Sequence, residues 1–184
     1  VHLERPNKAR VQPVPVVAEK LAGRTKAVNV QATMAHHRGI SKALGRLYDV
    51  ILNECATPRR QRELVILRTG WNCQAEYEFG QHTIYGKEAG GLSDEEVLAI
   101  TRPISSFPWS PEDRILLQMA DELYTDFCVT DSTWAALAER WSTEEILEFM
   151  CSTLGYFIVS GLINSLGVEL DKGVPGWPTA INGS

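Results

Sequence analysis

No two of the four cysteines, Cys55, Cys73, Cys128 and Cys151, lie within three residues of one another. That spacing excludes a CxxC redox pair or a zinc knuckle. Four cysteines in 184 residues are also too sparse for a disulfide-stapled fold. Four reduced thiols in a cytoplasmic protein are expected. Positive charge is in deficit: 18 Lys+Arg against 23 Asp+Glu give −5. Nucleic acid and anionic membrane surfaces both need clustered positive charge, so neither is expected as a partner. Signal-peptide character is missing as well. The opening VHLERPNKAR is polar, with no apolar run behind it. Strand-like alternation is almost absent, limited to Val11–Val17 and Leu64–Leu67, and no repeat or low-complexity tract occurs.

What is present is helical periodicity. With 44% hydrophobic and 22% charged residues, the chain can bury a core without staples. The expectation is an all-α, single-domain bundle of seven or eight helices. Residues 1–17, with Pro6, Pro13 and Pro15, read as an extended arm. The domain then spans 18–170, and 171–184 reads as an irregular tail. Helices are expected at about 28–36, 40–54, 58–72, 74–89, 93–101, from 110 to beyond Tyr124, 131–140 and 142–166. Ser93–Glu96 and Ser142–Glu145 are capping boxes that start two of them. Phe149–Val168 runs 20 residues without a charge, long enough to cross a bilayer. Its serines, Asn164 and glycines, with Glu144, Glu145 and Glu148 just before it, favour a buried central helix.

Chemistry concentrates between Arg62 and His82. On the expected 74–89 helix, Ala75, Glu78 and His82 are three and four residues apart and share one face. Glu78 and His82 on a buried stripe form a proton-handling pair, because burial and a neighbouring charge push their pKa values in opposing ways. The bland alternative is a surface i,i+4 ion pair worth a few tenths of a kcal/mol. Glu63 reaches the same pocket if its helix and the next form a hairpin; otherwise it pairs with Arg59, Arg60 or Arg62. Trp71 and Tyr77 flank the cluster as candidate substrate contacts. His36 and His37, before a turn, read as caps, as interface residues or as pocket contributors. With Glu63, Glu78 and His82 they could supply metal ligands, but no HxxxH or HExxH spacing occurs, and neither metal nor cofactor is expected.

The segment RELVILRTGWNCQAEYEFGQHTIYGKEAGGLSDEEV resembles the carboxymuconolactone decarboxylase/alkyl hydroperoxidase D-like family. AHHRGISKALGRL resembles its preceding helix pair, and LEFMCSTLGYFIVSGLINSLGVEL its C-terminal helix, so the resemblance covers about residues 28–170. It implies an all-α fold assembled into a homo-trimer or hexamer, with a dimer as a further possibility. The apolar faces at 40–54 and 146–166 agree with self-association. The family's redox branch places cysteines twelve and fifteen residues after a glutamate and a histidine nineteen after it. From Glu63 those positions hold Ala75, Glu78 and His82. A peroxidase of that type needs both thiols, so thiol peroxidase activity is disfavoured. The resemblance is to the non-redox branch. It implies a cofactor-free, lyase-type enzyme acting on a small carboxylated or lactone-like metabolite. Glu78 and His82 would transfer protons, Glu63 would orient them, and Trp71, Ala75, Tyr77, His36 and His37 would bind substrate. The competing expectation is a ligand-binding or structural oligomer without turnover.

Overall fold

The computed structural model describes residues 3–21 and 27–178. Among them are nine α-helices and no strands. They are α1 (Pro15–Leu21), α2 (Val28–Met34), α3 (Arg38–Asp49), α4 (Arg59–Asn72), α5 (Glu76–Glu88), α6 (Asp94–Ile100), α7 (Pro111–Asp126), α8 (Asp131–Ala138) and α9 (Thr143–Leu166). A π-helical turn, Val50–Glu54, extends α3. Ile104–Ser106 forms a short 3₁₀ turn between α6 and α7.

Helix α4 organises the bundle. Every residue from Arg62 to Gly70 is buried, as expected of a helix enclosed on all sides. It packs on α5, α7 and α9. A helix so enclosed must pair its charges. Arg68 donates to both Asp121 carboxylate oxygens at 2.6 and 2.7 Å. Arg62 donates to the Thr57 carbonyl. Three apolar clusters surround α4. One is centred on Phe79 and Ile100, one on Phe149 and Leu116, and one on Ile66, Tyr77 and Tyr156.

Helices α4 and α5 form a tight hairpin. Gln74 turns the chain in the left-handed region at φ 50°, and the Ala75 amide donates to the Gly70 carbonyl at 2.9 Å. The hairpin closes because Gly86 carries no side chain. A β-carbon there would sit 3.0 Å from Leu92 Cδ1 and 3.3 Å from Leu67 Cδ1. Both capping boxes form as their sequences require. Helix α9 is long and apolar enough to cross a membrane, yet its inner face, from Ile146 to Ile163, is buried against the other helices. Its outer face leaves Leu147, Leu154 and Ile158 exposed.

Three expectations need correction. The ninth helix is α1, which begins inside the expected arm. Pro15 is its first residue, where a proline costs no hydrogen bond. The rest of the arm does run extended over its own domain: Arg10 N–H donates to the Leu166 carbonyl at 2.8 Å, and the Arg5 guanidinium to Cys73 O at 2.8 Å. Residues 171–178 are irregular but built into the domain, so the boundary at 170 falls too early. Trp177 packs on Trp71 and Phe79 with ring centroids 5.2 Å apart in both pairs. The Pro175 carbonyl lies against Gly80, where any side chain would collide with it. Residues 179–184 lie outside the described residues.

Candidate active site

The α4–α5 hairpin brings together three residues that are far apart in sequence. His82 sits between two carboxylates. Its Nδ1 is 2.6 Å from Glu63 Oε2, and its Nε2 is 3.1 Å from Glu78 Oε1. The side chains of Glu63, His82 and Glu78 are 0%, 4% and 8% exposed, so this is no surface pair. Arg59 extends the row, its Nε 2.7 Å from Glu63 Oε1. That contact is ionic, because the N–H is not aimed at the oxygen. Glu63 therefore lies against both Arg59 and His82.

Burial by itself pulls an imidazolium's pKa down. Here the charges and hydrogen bonds of Glu63 and Glu78 outweigh it and raise His82 to about 9. Two carboxylates thus flank the imidazole, with the Arg59 guanidinium beyond Glu63. The His82 ring stands edge-on to Tyr156, at 4.7 Å between centroids, and 5.3 Å from Tyr85.

Glu78 and His82 open on a cavity of about 660 Å³, within the usual range for small-molecule sites. Its floor comes from α5 and α9, and its roof from α1, α2, α3 and the π-helical turn. Four of the five tyrosines line it: Tyr48, Tyr77, Tyr85 and Tyr156. Burial and the nearby Glu78 charge push the Tyr48 and Tyr156 phenols above their ordinary pKa, so both remain neutral.

A second buried carboxylate holds the roof. Asp171 accepts from the Val28 and Asn29 amides, both at 2.9 Å, and so caps α2 from 143 and 142 residues away. It also accepts from Tyr77 Oη and Gln81 Nε2, each at 2.7 Å. Tyr77 therefore stands in the cavity wall, as expected, and anchors the wall as well.

The other candidate contacts lie elsewhere. Ala75 is buried in the turn before α5 rather than on the helix, which starts one residue later, so it leaves the shared stripe. Trp71 is half-buried and turned toward Trp177, away from the cavity. His37 caps α3, accepting from the Ile40 amide at 3.2 Å, and His36 Nε2 meets the Gln12 carbonyl at 2.9 Å. Neither histidine lines the cavity. Among the described residues no group of three or more His, Cys, Asp or Glu is arranged to hold a metal ion, so the His36–His37 ligand set does not assemble. Sequence reasoning missed Tyr48, Gln81, Tyr85, Tyr156 and Asp171. For Gln81 a signal existed, since it lies four residues after Tyr77 on the same helix. For Tyr156 the signal was a phenol inside an otherwise uncharged, buried stretch, where a hydroxyl needs a reason to be.

No family model matches the chain, and no curated protein does. Solved structures do match. An uncharacterized peroxidase-related protein from Ralstonia eutropha JMP134, described as an alkylhydroperoxidase AhpD core, is 16% identical. The match covers 86% of this chain and 84% of that one, with a TM-score of 0.74. A peroxidase-related protein from Silicibacter sp. TM1040 is 11% identical over 95% of this chain and 97% of that one, at 0.76. The debrominase Bmp8, in a variant complexed with 2,3,4-tribromopyrrole, is 13% identical over 92% and 95%, at 0.73. The chain thus has the AhpD-like helical fold, shared with peroxidase-related proteins and a debrominase. Where the redox pattern would place its two thiols, it carries Ala75 and Glu78, and all four cysteines are free.

Proposed function

We propose that the protein is a cofactor-free acid/base enzyme that transfers a proton to or from a small ring metabolite. The observation that carries this reading is the Glu63–His82–Glu78 row, at 2.6 and 3.1 Å, ending at a 660 Å³ cavity. Glu78 is the group that meets the ligand and accepts its proton. His82, an imidazolium bonded to that carboxylate, supplies the acid of the pair. Glu63 touches no ligand. It positions the ring and balances its charge, much as a buried carboxylate orients a catalytic histidine. A neighbour of the same fold is a debrominase complexed with a substituted pyrrole, which agrees with a ring-sized ligand.

Decarboxylation of a lactone acid is the particular lyase reaction that the resemblance implies, and it is one version of this chemistry. The proposal includes a cytoplasmic setting and a homo-oligomer, a trimer or hexamer, with a dimer as the smaller option. The exposed apolar residues Leu147, Leu154 and Ile158 on α9 support self-association.

The test is deuterium exchange at ring carbons, followed by ¹H NMR over a panel of lactones and hydroxylated rings. CO₂ release from γ-carboxymuconolactone is scored in parallel. Glu78→Gln and His82→Ala should each slow the active exchange by roughly 10²-fold or more. Equal rates in wild type and both variants would remove the proposal. Exchange without CO₂ release would keep it and discard the decarboxylase version.

A further inference from the structure

The acid/base row leaves one buried polar group of the cavity unused. We infer that Tyr156 is a further catalytic residue, whose hydroxyl donates a hydrogen bond to the oxygen of a ring carbonyl while Glu78 takes a proton from the carbon beside it. This rests on the proton-transfer reading, and it narrows the substrate class to rings that carry a ketone or lactone carbonyl.

Among the described residues, five buried side chains with polar atoms line the cavity: Tyr77, Glu78, Gln81, His82 and Tyr156. Four of them are committed. Tyr77 Oη and Gln81 Nε2 each donate to Asp171 at 2.7 Å. His82 has its two nitrogens on Glu63 and Glu78. Tyr48, partly buried beside them, donates to the Gly155 carbonyl at 3.2 Å. The Tyr156 hydroxyl makes no hydrogen bond among the described residues, although the residue is only 2% exposed. A buried hydroxyl without a partner lowers stability, and native proteins keep few of them. One that borders a cavity finds its partner in whatever fills the cavity.

The ring that carries this hydroxyl is fixed. It stands edge-on to His82, with centroids 4.7 Å apart, and packs on Tyr48 at 5.4 Å. His82 in turn holds Glu78 at 3.1 Å. Donor and base therefore flank one imidazole, and one ring-sized ligand meets both. Burial and the Glu78 charge push the phenol above its ordinary pKa, so it keeps its proton at neutral pH. The step balances without a co-reactant. Glu78 takes the proton as the C–H bond breaks. That electron pair forms a C=C bond, and the carbonyl π pair moves onto oxygen as an enolate. Glu78, now protonated, does not oppose the new charge, and the Tyr156 O–H donates to it while keeping its own proton. A fixed donor aimed at developing charge in a desolvated site is an effective source of rate. Loss of CO₂ from a lactone acid sends its bonding pair to the same oxygen, so the role holds in the decarboxylase version too.

The experiment uses the full chain and two flat probes: 4-nitrophenol, at a pH where it is ionised, and nitrobenzene, which lacks the phenolic oxygen. Both are titrated into Glu78→Gln, whose amide imitates the protonated carboxyl, and into Glu78→Gln combined with Tyr156→Phe. Loss of the hydroxyl should weaken 4-nitrophenolate roughly tenfold or more and nitrobenzene less than about twofold. Equal weakening of the two probes, a smaller loss for the phenolate, or no binding by either overturns the inference. If the glutamine background does not fold, the same probes are compared in wild type and Tyr156→Phe. Tyr156→Phe alone should melt no lower than wild type, because it removes a hydroxyl without a partner. A lower melting temperature would mean that the hydroxyl serves the fold, against the inference. In the exchange assay Tyr156→Phe should lower kcat roughly 10²-fold with KM little changed. Exchange lost in Glu78→Gln but kept in Tyr156→Phe sinks this inference alone. Unchanged exchange in Glu78→Gln sinks the proton-transfer reading and the role of Tyr156 with it.

Discussion

The protonation of His82 has a measurable thermodynamic signature. In the unfolded chain its imidazole has its ordinary pKa of 6.5, and in the fold, between Glu63 and Glu78, about 9. The native state therefore binds the proton more tightly, and the difference corresponds to about 3 kcal/mol of stability. The sign follows from the raised value. The contribution is complete below pH 6.5, falls by about 1.4 kcal/mol per pH unit above it, and is nearly gone once pH passes about 9. Urea unfolding at about pH 6 and about pH 9 should therefore give free energies that differ by about 3 kcal/mol at constant m-value. A parallel NMR titration of the His82 ring should place its midpoint in the upper half of the window. A flat stability profile, with His82 titrating near its ordinary value, would refute the charged row and the acid role that depends on it.

Two further outcomes are expected. Asp171→Ala removes the acceptor shared by α2, Tyr77 and Gln81. It should cost about 3 kcal/mol in thermal or urea unfolding and speed exchange of the Val28 and Asn29 amides; unchanged exchange there would contradict the capping role. The Cys73 thiol is pushed up to about 11 by burial and should be alkylated last near pH 8, behind exposed Cys128 and Cys151. Peroxide consumption lost in Cys73→Ser would revive a thiol reaction that the geometry disfavours.

The helices and the heart of the site were legible because local rules set them. Capping boxes at Ser93 and Ser142 and the four-residue spacing of Glu78 and His82 each act within one turn or two. Glu63 was legible only through the hairpin, and the hairpin turned out to hold. The walls of the cavity were not legible. Tyr48 and Tyr156 face each other at 5.4 Å between centroids, although more than a hundred residues separate them in sequence. Asp171 was hidden for the same reason: a cap normally sits beside the helix it serves, whereas this one comes from the other end of the chain. The errors at Ala75 and Trp71 came from extending helical geometry by one turn through a left-handed residue, Gln74.

The distance between α2 and its cap has a consequence during synthesis. A ribosome makes the α2 segment long before the Asp171 segment, since 143 residues separate the two bonded partners. Domains form from the N-terminus as they emerge, but the first amides of α2 have no Asp171 acceptor until that segment has been made. The α4–α5 hairpin is made between the two, and α9, the rest of the floor, only just before Asp171. A nascent chain thus carries Glu63, Glu78 and His82 before it carries the cap that holds the roof. Synthesis of the Asp171 segment supplies that cap.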